Sequence, residues 1–155
     1  MHKNITKNFL APANINIRLE VIHQKPDGYH EIRSIMCSVG LYDVVTLSRS
    51  NNGIHISTNN IHIPVDKNNL AYQAADLLLQ KTKTPKGAQI HLKKNIPVAS
   101  GLGGGSSDAA AVMKGINDLY ELKYSQRELM KLGAQIGADV PFFFSQSPAL
   151  ATGTG

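Results

Sequence analysis

The sequence predicts an α+β domain, with strands gathered early in the chain and helices later. Three observations predict it. Apolar and polar residues alternate through several runs between Phe9 and Val65. Runs with the helical period of apolar residues begin only at Leu70. A glycine-rich segment, Gly101 to Gly105, then joins an alternating run to an alanine-rich helical one. The chain has no internal repeat and no low-complexity stretch.

Taken in order, residues 9–22 alternate after Pro12 and read as a strand. Asp27-Gly28 signals a turn. Residues 30–40 and 41–49 read as two further strands. Asn51-Asn52-Gly53 turns the chain into an alternating run, Ile54 to Thr58, and Asn59-Asn60 turns it again before the run IHIPV. Asn68 or Asn69 can cap a helix running to about Gln80, with Leu70, Ala74, Leu77 and Leu78 on one face. Pro85 to Gly87 breaks the chain, and Ala88 to Ile96 is a strand leading into the glycines. Ser107 to Tyr120 reads as a helix. Ser125 to Ile136 reads as another, with a capping box from Ser125 to Glu128 and Gly137 as its stop. Phe142–Phe144 and Ala149–Thr152 read as short strands.

The chain has 155 residues, enough for one domain with its own core. No eighteen-residue apolar stretch suggests a membrane span, and the first residues lack the apolar core of a signal peptide. Cys37 is the only cysteine, which excludes an intrachain disulfide, fits a reducing cytoplasmic setting and reads as a small buried hydrophobe. The six histidines are dispersed, without the spacing of a metal site. A net charge of +5 suits an anionic partner such as a nucleotide. The basic residues are scattered, with Lys93-Lys94 the only adjacent pair, so no nucleic-acid stripe stands out.

The chemistry concentrates in Pro97 to Ala111, PVASGLGGGSSDAAA. Glycines let backbone N–H groups approach an anion and tolerate positive φ. Ser106 or Ser107 can cap the helix that follows. That helix points unpaired N–H groups and a positive dipole end at the same place. The order is that of a phosphate cradle, although it is neither a Walker A loop nor a dinucleotide fingerprint. Asp108 reads as a first-turn acid favourable to the helix dipole.

The run resembles the second motif of the GHMP kinase superfamily, P-x-x-x-G-L-G-S-S/G-S-S-A. KPDGYHEIRSIM (Lys25–Met36), LYDVVTL (Leu41–Leu47), NNLAYQAADLLL (Asn68–Leu79) and GADVPFF (Gly137–Phe143) are similar to further segments of one branch. That branch phosphorylates a hydroxyl of a cytidine-diphosphate-linked methylerythritol in isoprenoid precursor synthesis. The resemblance runs from about Phe9 to the last residue. It implies a ribosomal-protein-S5-like N-terminal domain, with ATP and Mg²⁺ as cofactors and a small molecule as substrate. RNA binding by the same fold rests on fold analogy alone.

The resemblance also implies roles. Pro97, Val98, Ala99, Ser100, Gly101, Leu102, Gly103, Gly104, Gly105, Ser106 and Ser107 form the nucleotide-phosphate loop, and the Ser107 hydroxyl reaches Mg²⁺. Asp139, which local sequence alone reads as a turn residue, becomes the base for the substrate hydroxyl. Asn16, Tyr29 and His30 lie on the substrate side, and Tyr72 near the adenine. Asn14 stands where the family pattern A-P-A-K-x-N has its activating lysine, and it carries no charge. Lys3 or Lys7 could stand in. In the family a second domain follows the point where ATGTG ends, so the chain is expected to be a fragment. The surface that domain would cover is expected to drive self-association or poor solubility.

Overall fold

The computed structural model describes residues 5–24, 28, 30–81, 87–145 and 147–154. Five strands form one mixed sheet: β1 (Thr6–Gln24), β2 (His30–Ser50), β3 (Ile54–Thr58), β4 (Gly87–Lys93) and β5 (Ala149–Thr154). Their order is β1-β2-β4-β3, with β5 pairing the first part of β2. Only β3 and β4 run parallel. Helices α1 (Leu70–Leu79) and α2 (Gly104–Leu119) pack on each other and on the sheet. Helix α3 (Gln126–Gly133) packs with a 3-10 helix, Val140–Phe144, beside α2. The architecture is the expected α+β one.

The alternation in β2 and β4 turns Val45, Leu47, Ile90 and Leu92 inward. They meet Ala109, Val112, Met113 and Ile116 of α2 and Ala71, Ala74, Ala75 and Leu78 of α1. Small residues let α2 lie close to the sheet. A Cβ on Gly115 would collide with Leu47 Cδ1 and stand 2.9 Å from Phe9 Cε2. Along the far half of β1, and on β5, large apolar residues stay open: Ile17, Leu19, Val21 and Leu150 are all more than half exposed.

Several boundaries differ from expectation. Residues 30–40 and 41–49 form one strand, because the chain continues extended through Gly40. The run IHIPV is not a strand, since Asn60 Oδ1 caps the His62 N–H in a tight turn. Phe142–Phe144 are buried in the 3-10 helix rather than a strand. Burial on all sides, with Pro141 near the start, outweighs aromatic strand propensity there. Helix α2 begins three residues earlier than expected, with Gly103 as N-cap and no side-chain cap, so neither Ser106 nor Ser107 caps it. The caps at Asn69 and Ser125 form as read, Asn69 Oδ1 accepting from the Ala71 N–H at 2.8 Å. Cys37 is half-buried, with its thiol directed at the Ser38 carbonyl.

Candidate active site

The segment after β4 is built for close backbone approach. Ala99, Gly101 and Gly103 all have positive φ (56°, 74° and 67°), and Ser100 and Leu102 between them do not. Alternating φ signs turn successive N–H groups toward one side and form an anion-binding nest. The α2 N-terminus follows at once, with its free N–H groups and positive dipole end. Every residue from Pro97 to Ser106 lines a cavity of about 380 Å³, together with Asn68, Asn69, Lys94 and Asp108. Tyr72 is not among its lining residues.

Ser107 does not line it. The residue is 1% exposed, its N–H donates to the Gly103 carbonyl at 2.9 Å, and its hydroxyl has no partner. A buried, unpartnered hydroxyl beside a phosphate cradle fits an oxygen ligand for a hard cation. Asp108 offers a second unpartnered oxygen, Oδ1.

Asp108 is not the first-turn dipole acid expected from sequence. It lies deeper in α2, 3% exposed, and Lys94 Nζ donates to its Oδ2 at 2.5 Å. The same ammonium bonds Asp43 Oδ2. Asp43 is fully buried, and its Oδ1 accepts the N–H groups of Asn95 and Ile96 at 2.6 and 2.8 Å. Burial pushes the Asp108 carboxyl up to about 7 against the pull of Lys94. Sequence reasoning missed this cluster. The signal was present: Asp43 shares the inward parity of Val45 and Leu47, and Lys94 that of Ile90 and Leu92.

The Asp108 shift has a signed consequence. Its folded value exceeds the unfolded value near 4, so the folded protein binds more protons between those limits. That stability is complete below about pH 4 and lost as pH rises through about 7, on the order of a few kcal/mol. Urea midpoints should fall from pH 5 to pH 8, and Asp108→Asn should flatten that slope.

A β-bulge between Pro12 and Asn14 turns two successive residues, Ala13 and Asn14, into the interior. The Asn14 N–H donates to the Leu102 carbonyl at 3.0 Å, while its Oδ1 is buried and unpartnered against Gly103. The lysine position of the family pattern therefore touches the glycine segment. A Cβ on Gly103 would collide with Asn14 Oδ1 and lie 3.1 Å from Phe143 Cζ. Gly103→Ala should cost about 1–3 kcal/mol by overpacking and about 1 more from left-handed strain. Thermal unfolding checks this.

Asp139 lies exposed just before the 3-10 helix, with no side-chain cap bond. It lines a second cavity of about 500 Å³ with Asn16, Leu19, Ile32, Ser34 and Phe142 among others. Ser34 Oγ donates to Asn16 Oδ1 at 2.8 Å. No lysine or arginine is among the described residues that line this cavity. Lys7 does not supply the missing cation. It pairs with Asp118 near the end of α2, at 2.6 Å. Ser106, which lines the first cavity, has its Oγ 3.8 Å from where a Cβ on Gly137 would stand, in the turn that leads to Asp139. Asp139 and Asn16 thus line the same cavity. Tyr29, Lys3 and the side chain of His30 lie outside the described residues.

The site thus pairs a backbone nest at a helix N-terminus with a second cavity that holds a carboxylate. Residues 69–147 match the family model "GHMP kinases N terminal domain". The chain belongs to that family. It is similar to the 4-diphosphocytidyl-2-C-methyl-D-erythritol kinases of Caldicellulosiruptor bescii, at 47% identity over 94% of this chain, and of Shouchella clausii, at 51% over 94%. The chain spans about half the length of these relatives, 51% and 49%. A crystal structure of 4-(cytidine 5'-diphospho)-2C-methyl-D-erythritol kinase superposes with a TM-score of 0.82 at 39% identity, covering 95% of this chain and 52% of that one. A homoserine kinase from Cytophaga hutchinsonii shares the fold, with a TM-score of 0.64 at 21% identity over 88% of this chain and 42% of that one. Among the described residues, no helix is long and apolar enough to cross a membrane.

Proposed function

We propose that this chain is the nucleotide-binding part of an ATP-dependent small-molecule kinase. Its substrate would be the cytidine-diphosphate-linked methylerythritol, phosphorylated on a hydroxyl in isoprenoid precursor synthesis. The observation that carries the reading is the alternating positive-φ nest at the α2 N-terminus, in a fold that also sets Asp139 and Asn16 on one cavity. Phosphoryl transfer asks mainly for positioning and charge stabilisation. The N–H groups of Gly101 to Gly105 would hold the β- and γ-phosphates of ATP. The Asp139 carboxylate would accept the proton of the substrate hydroxyl, and Asn16 would orient that hydroxyl. Tyr29 and His30 would face the cytidine. The Ser107 hydroxyl, buried and without a partner, would reach Mg²⁺, which supplies neutralising charge to the phosphates when bound.

A second reading rests on Asn14. With no cation at that position, and none on the Asp139 cavity wall among the described residues, the chain would bind nucleotide and transfer phosphate slowly or not at all. The length of the relatives supports a further domain as part of the complete enzyme. The open residues Ile17, Leu19, Val21 and Leu150 fit self-association of the isolated chain.

The test is phosphotransfer by this chain from Mg-ATP to the cytidine-diphosphate methylerythritol, read by mass spectrometry. The kinase reading expects phosphorylated product that falls ~10²–10⁴-fold in Asp139→Ala. No product from a folded sample that binds nucleotide favours the second reading.

A further inference from the structure

Behind the glycine segment lies a charge cluster whose sign is wrong for attracting phosphate. Two carboxylates, Asp43 and Asp108, share one ammonium, Lys94. All three side chains are at most 4% exposed. An ammonium placed to bind an outside anion would not be held between two buried carboxyl groups. The geometry points elsewhere. Lys94 is the last residue before the segment Asn95–Ser107, and Asp108 is the first after it. Their ion pair closes that segment at its base. Asp43, on the neighbouring strand, anchors the β4 side of the closure: its Oδ2 holds Lys94, and its Oδ1 takes the N–H groups of Asn95 and Ile96.

The middle of the segment so closed is its loosest part. Pro97 to Gly101 are exposed. Ser100 Oγ bonds the Pro97 carbonyl within it at 2.7 Å, and the Asn14 N–H bonds the Leu102 carbonyl just after it at 3.0 Å. A nest binds an anion well only if its N–H groups already converge, because ordering a loose loop on binding costs affinity.

We propose that the Asp43–Lys94–Asp108 cluster is a clasp that holds the glycine segment in its anion-binding shape, with Asp108 as a positioning residue. The proposal rests on the reading of that segment as a phosphate site. Its first test does not.

The experiment compares Asp108→Asn with Asp108→Ala in the full chain. Both remove the ionisable carboxyl group. Asparagine still reaches Lys94 with an oxygen, and alanine does not. Hydrogen exchange of the Gly101–Gly105 amides should quicken at least tenfold in the alanine variant relative to the asparagine variant, with the α1 amides unchanged. Mg-ADP should bind the alanine variant at least tenfold more weakly than the asparagine variant. Equal exchange and equal ADP affinity in the two would overturn the clasp. If ADP binds none of the proteins, wild type included, the phosphate reading fails and the exchange rates alone decide the clasp. If the alanine variant does not fold, Asp108→Ser replaces it, keeping a polar group too short to reach Lys94.

Discussion

Asp43→Ala is expected to destabilise the fold by about 3–5 kcal/mol, the cost of breaking a buried ion pair from one side. Asp43 is 0% exposed and satisfies three donors: the Lys94 ammonium and the N–H groups of Asn95 and Ile96. Removing it leaves two backbone N–H groups without their acceptor. It also leaves Lys94 to Asp108 alone. Asp43→Asn should cost less, because an amide oxygen can still accept from the two N–H groups. The measurement is urea unfolding at neutral pH with an unchanged m-value. A loss below about 1 kcal/mol for the alanine variant, the typical worth of an exposed pair, would contradict the account.

The second large effect is catalytic. Asn14→Lys is expected to raise phosphotransfer roughly a hundred- to thousand-fold, the ~3 kcal/mol that one well-placed electrostatic group supplies to a transition state. The register shift between β1 and β2 already brings this position against Gly103. The buried Asn14 Oδ1 makes no hydrogen bond, so replacing it forfeits no partner. Single-turnover rates with Mg-ATP would show the gain. An unaltered rate would mean that the position does not limit this chain.

Much of this site was legible in the sequence because its chemistry is local. The glycine run, the helix after it and the capping box at Ser125 are written in neighbouring residues, and all three stand in the structure. Assigning Asp139 needed the family resemblance, since G-x-D-x-P alone describes a turn. The misses are non-local. Asp108 looked like a helix-dipole acid until β2 and the exit of β4 brought Asp43 and Lys94 to it. The phenylalanines after Pro141 looked like a strand until burial on every side made them a 3-10 turn. The position of Asn14 was flagged by pattern, but the bulge that turns it inward depends on pairing between β1 and β2. Sequence could show a polar residue at a family lysine position. Only the fold shows it pressed against the glycine that opens α2.

The central claim is that Gly101 to Ser107 hold nucleotide phosphates. Amide chemical shifts of the folded chain, titrated with Mg-ADP, test it most directly. The account predicts saturable shifts centred on Gly101–Ser107, with Gly103→Ala abolishing them. Absent shifts at millimolar nucleotide, or shifts centred elsewhere, would contradict it.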